Sequence, residues 1–389
     1  MKKQVAAMVT AGIMALSLAG CTTSNQVTTS DSGSTVSSTS TEAVTSTSTT
    51  TSTSETESIA TEPQERDAPL KMAYVNAGMN TYYSVILNGM QEELERYGGD
   101  EVGTIDVYSP TSTTQMVEEQ ISFLEALLQD DDLDVLFFST HNDTEFIPYL
   151  EQFCEKGVSV YLFNMPSQDV TNDAYVSLIS YDFYEAGYLM GQYLAENVAT
   201  TMDEVNLLYL EGVEGTHNTV RTEGFYDGLG DADAENGGNV TTVVSQSASW
   251  TREGGQTVTE NALQSNPEIN CVFGPYDEMP LGAIVALKDA GKLDDTVVLG
   301  YDCTEDGLNA IRDGEMTASV ATDPKQMGNH MIDAAIAHDL CGEEINSSIM
   351  NKLVVIDSSN ESEVADDAYE YTEQEKSMDI EDAIDQINY

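Results

Sequence analysis

The sequence predicts an α/β protein made of two similar lobes, each a parallel sheet flanked by helices. Three observations lead there. Short apolar runs of strand length alternate with helical stripes of three- and four-residue spacing. The same alternation restarts midway along the chain, as successive right-handed βαβ units do. The body beyond Asp67 runs to roughly 320 residues, room for two ordinary domains.

Taken in order, KMAYVNA (71–77) reads as the first strand, and Tyr83, Ile86, Met90, Leu94 and Tyr97 mark the helix after it. TIDVYSP (104–110) is a strand, and Val117, Ile121, Leu124 and Leu128 form the next helical face. DVLFFST (134–140) is a buried strand, followed by a helix with Phe146, Ile147, Leu150 and Phe153 on its core side, closed by Gly157. VSVYLFN (158–164) is again a strand. The second round begins at AYVSLIS. It continues through helices from about Tyr184 to Asn197, Asn218 to Leu229 and Arg252 to Gln264, with VNLLYLEG and NVTTVVS as strands between them. INCVFGPYD, MPLGAIVALKDAG, TVVLGYD, EDGLNAIRDG and MTASVAT complete the series. The expected boundaries are 69–177 plus 323–352 for the first lobe, 178–322 plus 353–360 for the second, and an acidic tail at 361–389.

The N-terminal 21 residues are of another kind. Lys2 and Lys3 precede an apolar run from Val5 to Ala19, too short to span a bilayer comfortably. Leu18-Ala19-Gly20-Cys21 then looks like a bacterial lipoprotein cleavage site, which makes Cys21 the lipid-bearing residue. Between Thr22 and Glu62, 27 of 41 residues are Ser or Thr, with no aromatic residue and no Lys or Arg. Such a segment, taken as 22–68, cannot bury enough apolar surface to offset its chain entropy and is expected to act as a flexible tether spanning roughly 35–40 Å.

Charge narrows the partners. With 68 acids against 14 bases the formal charge is −54. That field repels nucleic acid and anionic lipid, and disfavours an anionic ligand unless cations compensate locally. Cys154, Cys271, Cys303 and Cys341 show no CxxC spacing and are expected to be buried free thiols, with a Cys271–Cys303 disulfide as the alternative. His141, His217, His330 and His338 show no metal-ligand spacing, so no metal and no cofactor is expected. DDDLD (130–134) lacks the glycine and terminal glutamate of a calcium loop. There is no GKS/T phosphate loop, GxSxG elbow or GxGxxG turn.

In open parallel sheets ligands bind beyond the carboxyl ends of the strands. The residues at those positions are Asn76, Asn80, Tyr82 and Tyr83, then Asn164 and Met165, and in the second lobe Tyr276, Asp277 and Asp302, with Arg221 and Trp250 near other strand–helix junctions. Amides, two carboxylates, one guanidinium and several rings suit a neutral, polyhydroxylated ligand: hydroxyls need donors and acceptors, and C–H faces pack on flat rings.

From Leu70 to about Asp357 the chain resembles the periplasmic sugar-binding proteins of the ribose- and galactose-binding type, which serve ABC transporters. The segments that carry the resemblance are MNTYYSVILNGMQEELERYG, SYDFYEAGYLMGQYL, EGVEGTHNTVRTEGF, SASWTREGG, GPYDEMPLGAIVALKDAG and GYDCTEDGLNAIRDGEMTASVATDP, in that order. The resemblance implies the type I periplasmic binding protein fold: two Rossmann-like lobes, three hinge crossings and a ligand clamped between the lobes. It implies that Tyr82 and Tyr83 sandwich a sugar, Asn80 and Asn164 make polar contacts, Arg221 donates to hydroxyls, Trp250 is an aromatic wall, Asp302 accepts, and Tyr276, Asp277 and Thr322 lie at the site. The chain departs from the pattern at Asn164-Met165, where many relatives have Asp-Arg, at Tyr276-Asp277 for Asn-Asp, and at Thr322 for Gln.

The expected function is therefore that of a lipid-anchored, monomeric, extracytoplasmic receptor on the outer face of the cell membrane, handing a monosaccharide to an ABC permease. The alternative is a ligand sensor, for a sugar, nucleoside or autoinducer, that signals to a membrane kinase or chemoreceptor. An enzyme is not expected, although Asp277 and Asp302 could be pictured as a glycosidase acid pair.

Overall fold

The computed structural model describes residues 68–362 except 79, 113–115, 142–144, 167–173 and 237, and the side chains of 233–236. The expected signal and lipid site at Cys21, the Ser/Thr-rich segment and nearly all of the acidic tail lie outside the described residues.

The first sheet contains β1 (Leu70–Val75), β2 (Gly103–Tyr108), β3 (Val135–Phe138), β4 (Ser159–Phe163) and β5 (Ser177–Ser180). Between these strands run α1 (Thr81–Tyr97), α2 (Met116–Leu127) and α3 (Ile147–Glu155). α4 (Phe183–Tyr193) leads into the second sheet, which holds β6 (Val205–Glu211), β7 (Val240–Ser247), β8 (Cys271–Phe273), β9 (Val297–Asp302) and β10 (Ala318–Ala321). These are connected by α5 (Thr216–Asn236), α6 (Arg252–Ser265), α7 (Glu278–Asp289) and α8 (Glu305–Arg312). The chain then returns through α9 (Pro324–Ala335) to β11 (Ser348–Met350) on the first sheet and crosses again to β12 (Val354–Asp357) on the second.

The strand orders are β11-β5-β4-β3-β1-β2 and β12-β10-β9-β8-β6-β7. The first sheet is parallel throughout. In the second, only β12 runs antiparallel, against β10. The inner strands are buried runs such as VLFF, as doubly covered parallel sheets require, whereas the edge strands β2 and β7 are largely exposed. The chain passes between sheets three times: after β5, after β10 and after β11. Asn351 ties the three passages together. Its amide nitrogen donates to the Thr322 and Asp323 carbonyls at 3.0 and 2.7 Å, and its backbone N–H to Ser180 at 2.8 Å.

Three expectations need correction. A lobe boundary between 177 and 178 cuts through β5, whose ladder to β4 and β11 keeps Ser177–Ser180 in the first sheet. The periodicity reading did not include α9, in which the polar residues Lys325, Asn329, His330 and Asp333 are buried along with Met327, Met331 and Ile332. The four cysteines are free, but Cys154 is exposed rather than buried. Among the described residues, no helix is long and apolar enough to cross a membrane.

α4 and α5 pack backbone to backbone. A Cβ on Gly224 would collide with the Tyr184 carbonyl oxygen, and one on Gly187 with that of Arg221. Gly224→Val should therefore wedge the helices apart and lower stability by about 1–3 kcal/mol, read as a shifted urea midpoint. An unchanged midpoint would contradict this packing.

Candidate functional site

A cleft of about 430 Å³, partly open to solvent, lies at the carboxyl ends of the strands. Its lining comes from both lobes: Asn80, Tyr82, Tyr83, His141 and Asn164 from the first, and His217, Arg221, Trp250, Tyr276 and Asp302 from the second. Three of these residues, Asn164 (φ 47°), Trp250 (φ 59°) and Asp302 (φ 93°), hold left-handed backbone conformations that non-glycine residues rarely adopt. Such strain persists where the surroundings fix it, and it aims side chains across strand ends.

Arg221, on the first turns of α5, is only 6% exposed. Its guanidinium donates to the Pro275 carbonyl at 2.6 Å and to the Tyr181 hydroxyl. Rings enclose it: its Cζ lies 4.5 Å from the centroid of Tyr301, 4.8 Å from Phe183 and 5.4 Å from Trp250. Burial opposes the charge, but the tyrosine oxygens and Asp302 outweigh it and Arg221 stays cationic. Trp250 reaches this position because Gly212 has no side chain; a Cβ there would overlap the indole.

Asp302 is buried, and burial pushes its carboxyl up to about 6, against the opposing pull of Arg221 and a hydrogen bond from Thr322. Thr322 Oγ1 donates to Asp302 Oδ1 at 3.1 Å and pairs with the Tyr82 hydroxyl at 3.0 Å. Thr322 thus supports the site from behind rather than lining the cleft. Tyr83 is anchored by Ser139 at 3.1 Å and stands edge-on to Phe163. Asn80 lines the cleft while its Oδ1 caps α1, accepting from Tyr83 N–H at 3.0 Å.

Asp277 is the clear correction. Its carboxylate turns away from the cleft and accepts from Tyr301 N–H (2.8 Å), Thr304 N–H (2.6 Å), Thr304 Oγ1 (3.1 Å) and Ser319 Oγ (2.9 Å). A Cβ on Gly300 or Gly307 would strike it, so those glycines make its room. Asp277 staples the turn after β9 instead of touching ligand. Burial, with the Asp302 charge, pushes its carboxyl up to about 7 against the pull of these donors.

Two histidines were missed. His217 and Arg221 share one face of α5 at i,i+4 spacing, and His141 lies three residues beyond the end of β3, so both the helix spacing and the strand-end rule point to them. Their rings, one from each lobe, lie 4.6 Å apart. His217 also bridges the lobes, its Nε2 lying 3.0 Å from the Asn164 carbonyl. Burial, then His141 and Arg221, hold the His217 imidazole well below its ordinary range. Burial and Arg221 push His141 down to about 4. Asn164 Oδ1, His217 Nδ1 and Arg221 Nε are buried without a protein partner. The Tyr276 hydroxyl in the same lining is likewise without a protein partner, so the cleft holds several buried polar atoms of a kind that native proteins pair.

Comparison with known proteins now adds to this geometry. A family model described as a periplasmic binding protein domain matches residues 72–344. The ribose import binding protein of Haemophilus influenzae is 34% identical over 46% of this chain and 58% of its own length, so this chain spans just over half of that relative. The Bacillus subtilis ribose import binding protein is 28% identical over 66% of this chain and 77% of its own. A Mycobacterium smegmatis protein solved in complex with β-D-fucofuranose superposes with a TM-score of 0.67 at 26% identity, covering 81% of this chain and 98% of that one.

The raised Asp302 carboxyl gives a signed prediction. Between pH 3.8 and about 6 the folded protein holds a proton that the unfolded chain has released. Stability from this group therefore falls as pH rises through that window, by about 1.4 kcal/mol for each pH unit crossed. Asp302→Asn should flatten that part of the pH profile of unfolding free energy. A profile of unchanged slope would show that Asp302 does not titrate there.

Proposed function

The chain belongs to the periplasmic binding protein family, and on that premise we propose that it captures a neutral monosaccharide or related polyol between its lobes and delivers it to an ABC-transporter permease. One observation carries this reading. The cleft sets a single buried cation, Arg221, against a single lining carboxylate, Asp302, among phenols, an indole and imidazoles held neutral. The lining is close to charge-balanced in a chain of formal charge −54. An uncharged ligand rich in hydroxyls uses both groups, while its C–H faces pack on Tyr82, Tyr83 and Trp250. The relatives named above are described as ribose-binding or were solved with a sugar, which fits the same class.

Binding favours the closed arrangement by its differential affinity for that state, with the three passages between sheets acting as the hinge. The proposal includes an anchor. A lipid on Cys21 and the Ser/Thr-rich segment after it keep the receptor near its permease and raise its effective concentration there. The family is one of binding proteins.

Arg221→Ala should weaken binding of a monosaccharide by about 2–3 kcal/mol in titration calorimetry, because hydroxyls buried opposite it lose a charged donor. Undiminished affinity would remove Arg221 from the ligand site. Cys21→Ser should release the protein from membranes in soluble, binding-competent form; continued membrane association would exclude the lipid anchor.

A further inference from the structure

From the histidine that bridges the lobes we infer that His217 is a specificity-determining hydrogen-bond acceptor, whose Nδ1 takes the O–H of a ligand hydroxyl. This rests on the proposed binding of neutral polyols and names which atoms of this chain set the hydroxyl pattern.

The tautomer follows from the structure. His217 Nε2 lies 3.0 Å from the Asn164 carbonyl oxygen, which can only accept, so Nε2 carries the hydrogen. A neutral ring then leaves Nδ1 as a bare lone pair. His217 is 5% exposed, lines the cleft, and its Nδ1 has no protein partner. The groups around the ring do not supply a proton to Nδ1. Phe183 stands edge-on at 5.1 Å, His141 is tilted at 4.6 Å, and Arg221, one helical turn on, directs its two terminal nitrogens to Pro275 and Tyr181.

Asn164 adds a second acceptor of the same kind. Its backbone oxygen holds His217 while its buried Oδ1 is unpartnered. Each of these two bare acceptors in the cleft lining calls for an O–H donor, one hydroxyl of the ligand to His217 and another to Asn164. A ligand with an ether or a missing hydroxyl there leaves a buried lone pair stranded and is rejected.

The test uses the mature chain with D-ribose, D-allose, D-galactose and myo-inositol as probes. Titration calorimetry compares wild type, His217→Phe, which keeps a buried ring but neither nitrogen, and His217→Gln, which keeps one donor and one acceptor. Binding of whichever probe the wild type takes should fall about tenfold or more in the Phe variant and recover substantially in the Gln variant. ¹⁵N NMR of the imidazole separates ligand contact from mere lobe bridging. The Nδ1 resonance should start as an unprotonated nitrogen and move on adding the bound probe. Wild-type binding with an unmoved Nδ1, or full affinity in His217→Phe, overturns this inference and leaves the proposed function standing. A wild type that binds none of the four overturns both.

Discussion

One buried guanidinium shapes this cleft. A cation placed out of water must find both hydrogen-bond acceptors and polarisable neighbours. Arg221 finds them in the Pro275 carbonyl, the Tyr181 hydroxyl and the faces of Tyr301, Phe183 and Trp250. Those groups come from the first passage between sheets, the start of α4, β9, and the turns after β7 and β8. Holding one charge therefore draws the ends of several strands to one point. Asp302 stands within the same lining, so the site as a whole presents little net charge to a ligand.

The rest of the fold keeps that arrangement in place within each lobe. Within the second lobe the Asp277 carboxylate locks the turn after β9 that carries Asp302. Helices α4 and α5 interlock through glycines, which positions the first turns of α5 and with them His217 and Arg221. Among the described residues three chain passages run between the lobes, and Asn351 gathers all three by hydrogen bonds. Across the cleft, His217 joins the lobes through its bond to Asn164 and its ring against His141.

Much of this was legible in the sequence, for definite reasons. Buried parallel strands announce themselves as unbroken apolar runs, so β1, β3, β4 and β9 were found nearly to the residue. The strand-end rule then brought forward Tyr82, Tyr83, Asn164, Arg221, Trp250, Tyr276 and Asp302 before any coordinates. What it could not give was side-chain direction. Asp277 is the neighbour of Tyr276, yet it faces the other way because Gly300 and Gly307, distant in sequence, open a space for it. Helix α9 has only a short apolar face around Met327 and Met331, and it buries Lys325, Asn329, His330 and Asp333 as well, which a hydrophobic pattern does not foretell. The histidines were weighed only as metal ligands, and that question hid their placement at a strand end and one turn before Arg221.

The account turns on the ligand being uncharged. The most direct measurement is a thermal-shift comparison of neutral sugars and inositols with matched anionic forms, a sugar phosphate and a uronic acid, at equal concentrations. Stabilisation scales with the logarithm of ligand concentration over Kd, so selective binding appears as a selective rise in Tm. The charge-balanced Arg221–Asp302 cleft predicts a rise with at least one neutral polyol and none with its anionic counterpart. A rise with the anions and none with the neutral compounds would contradict it.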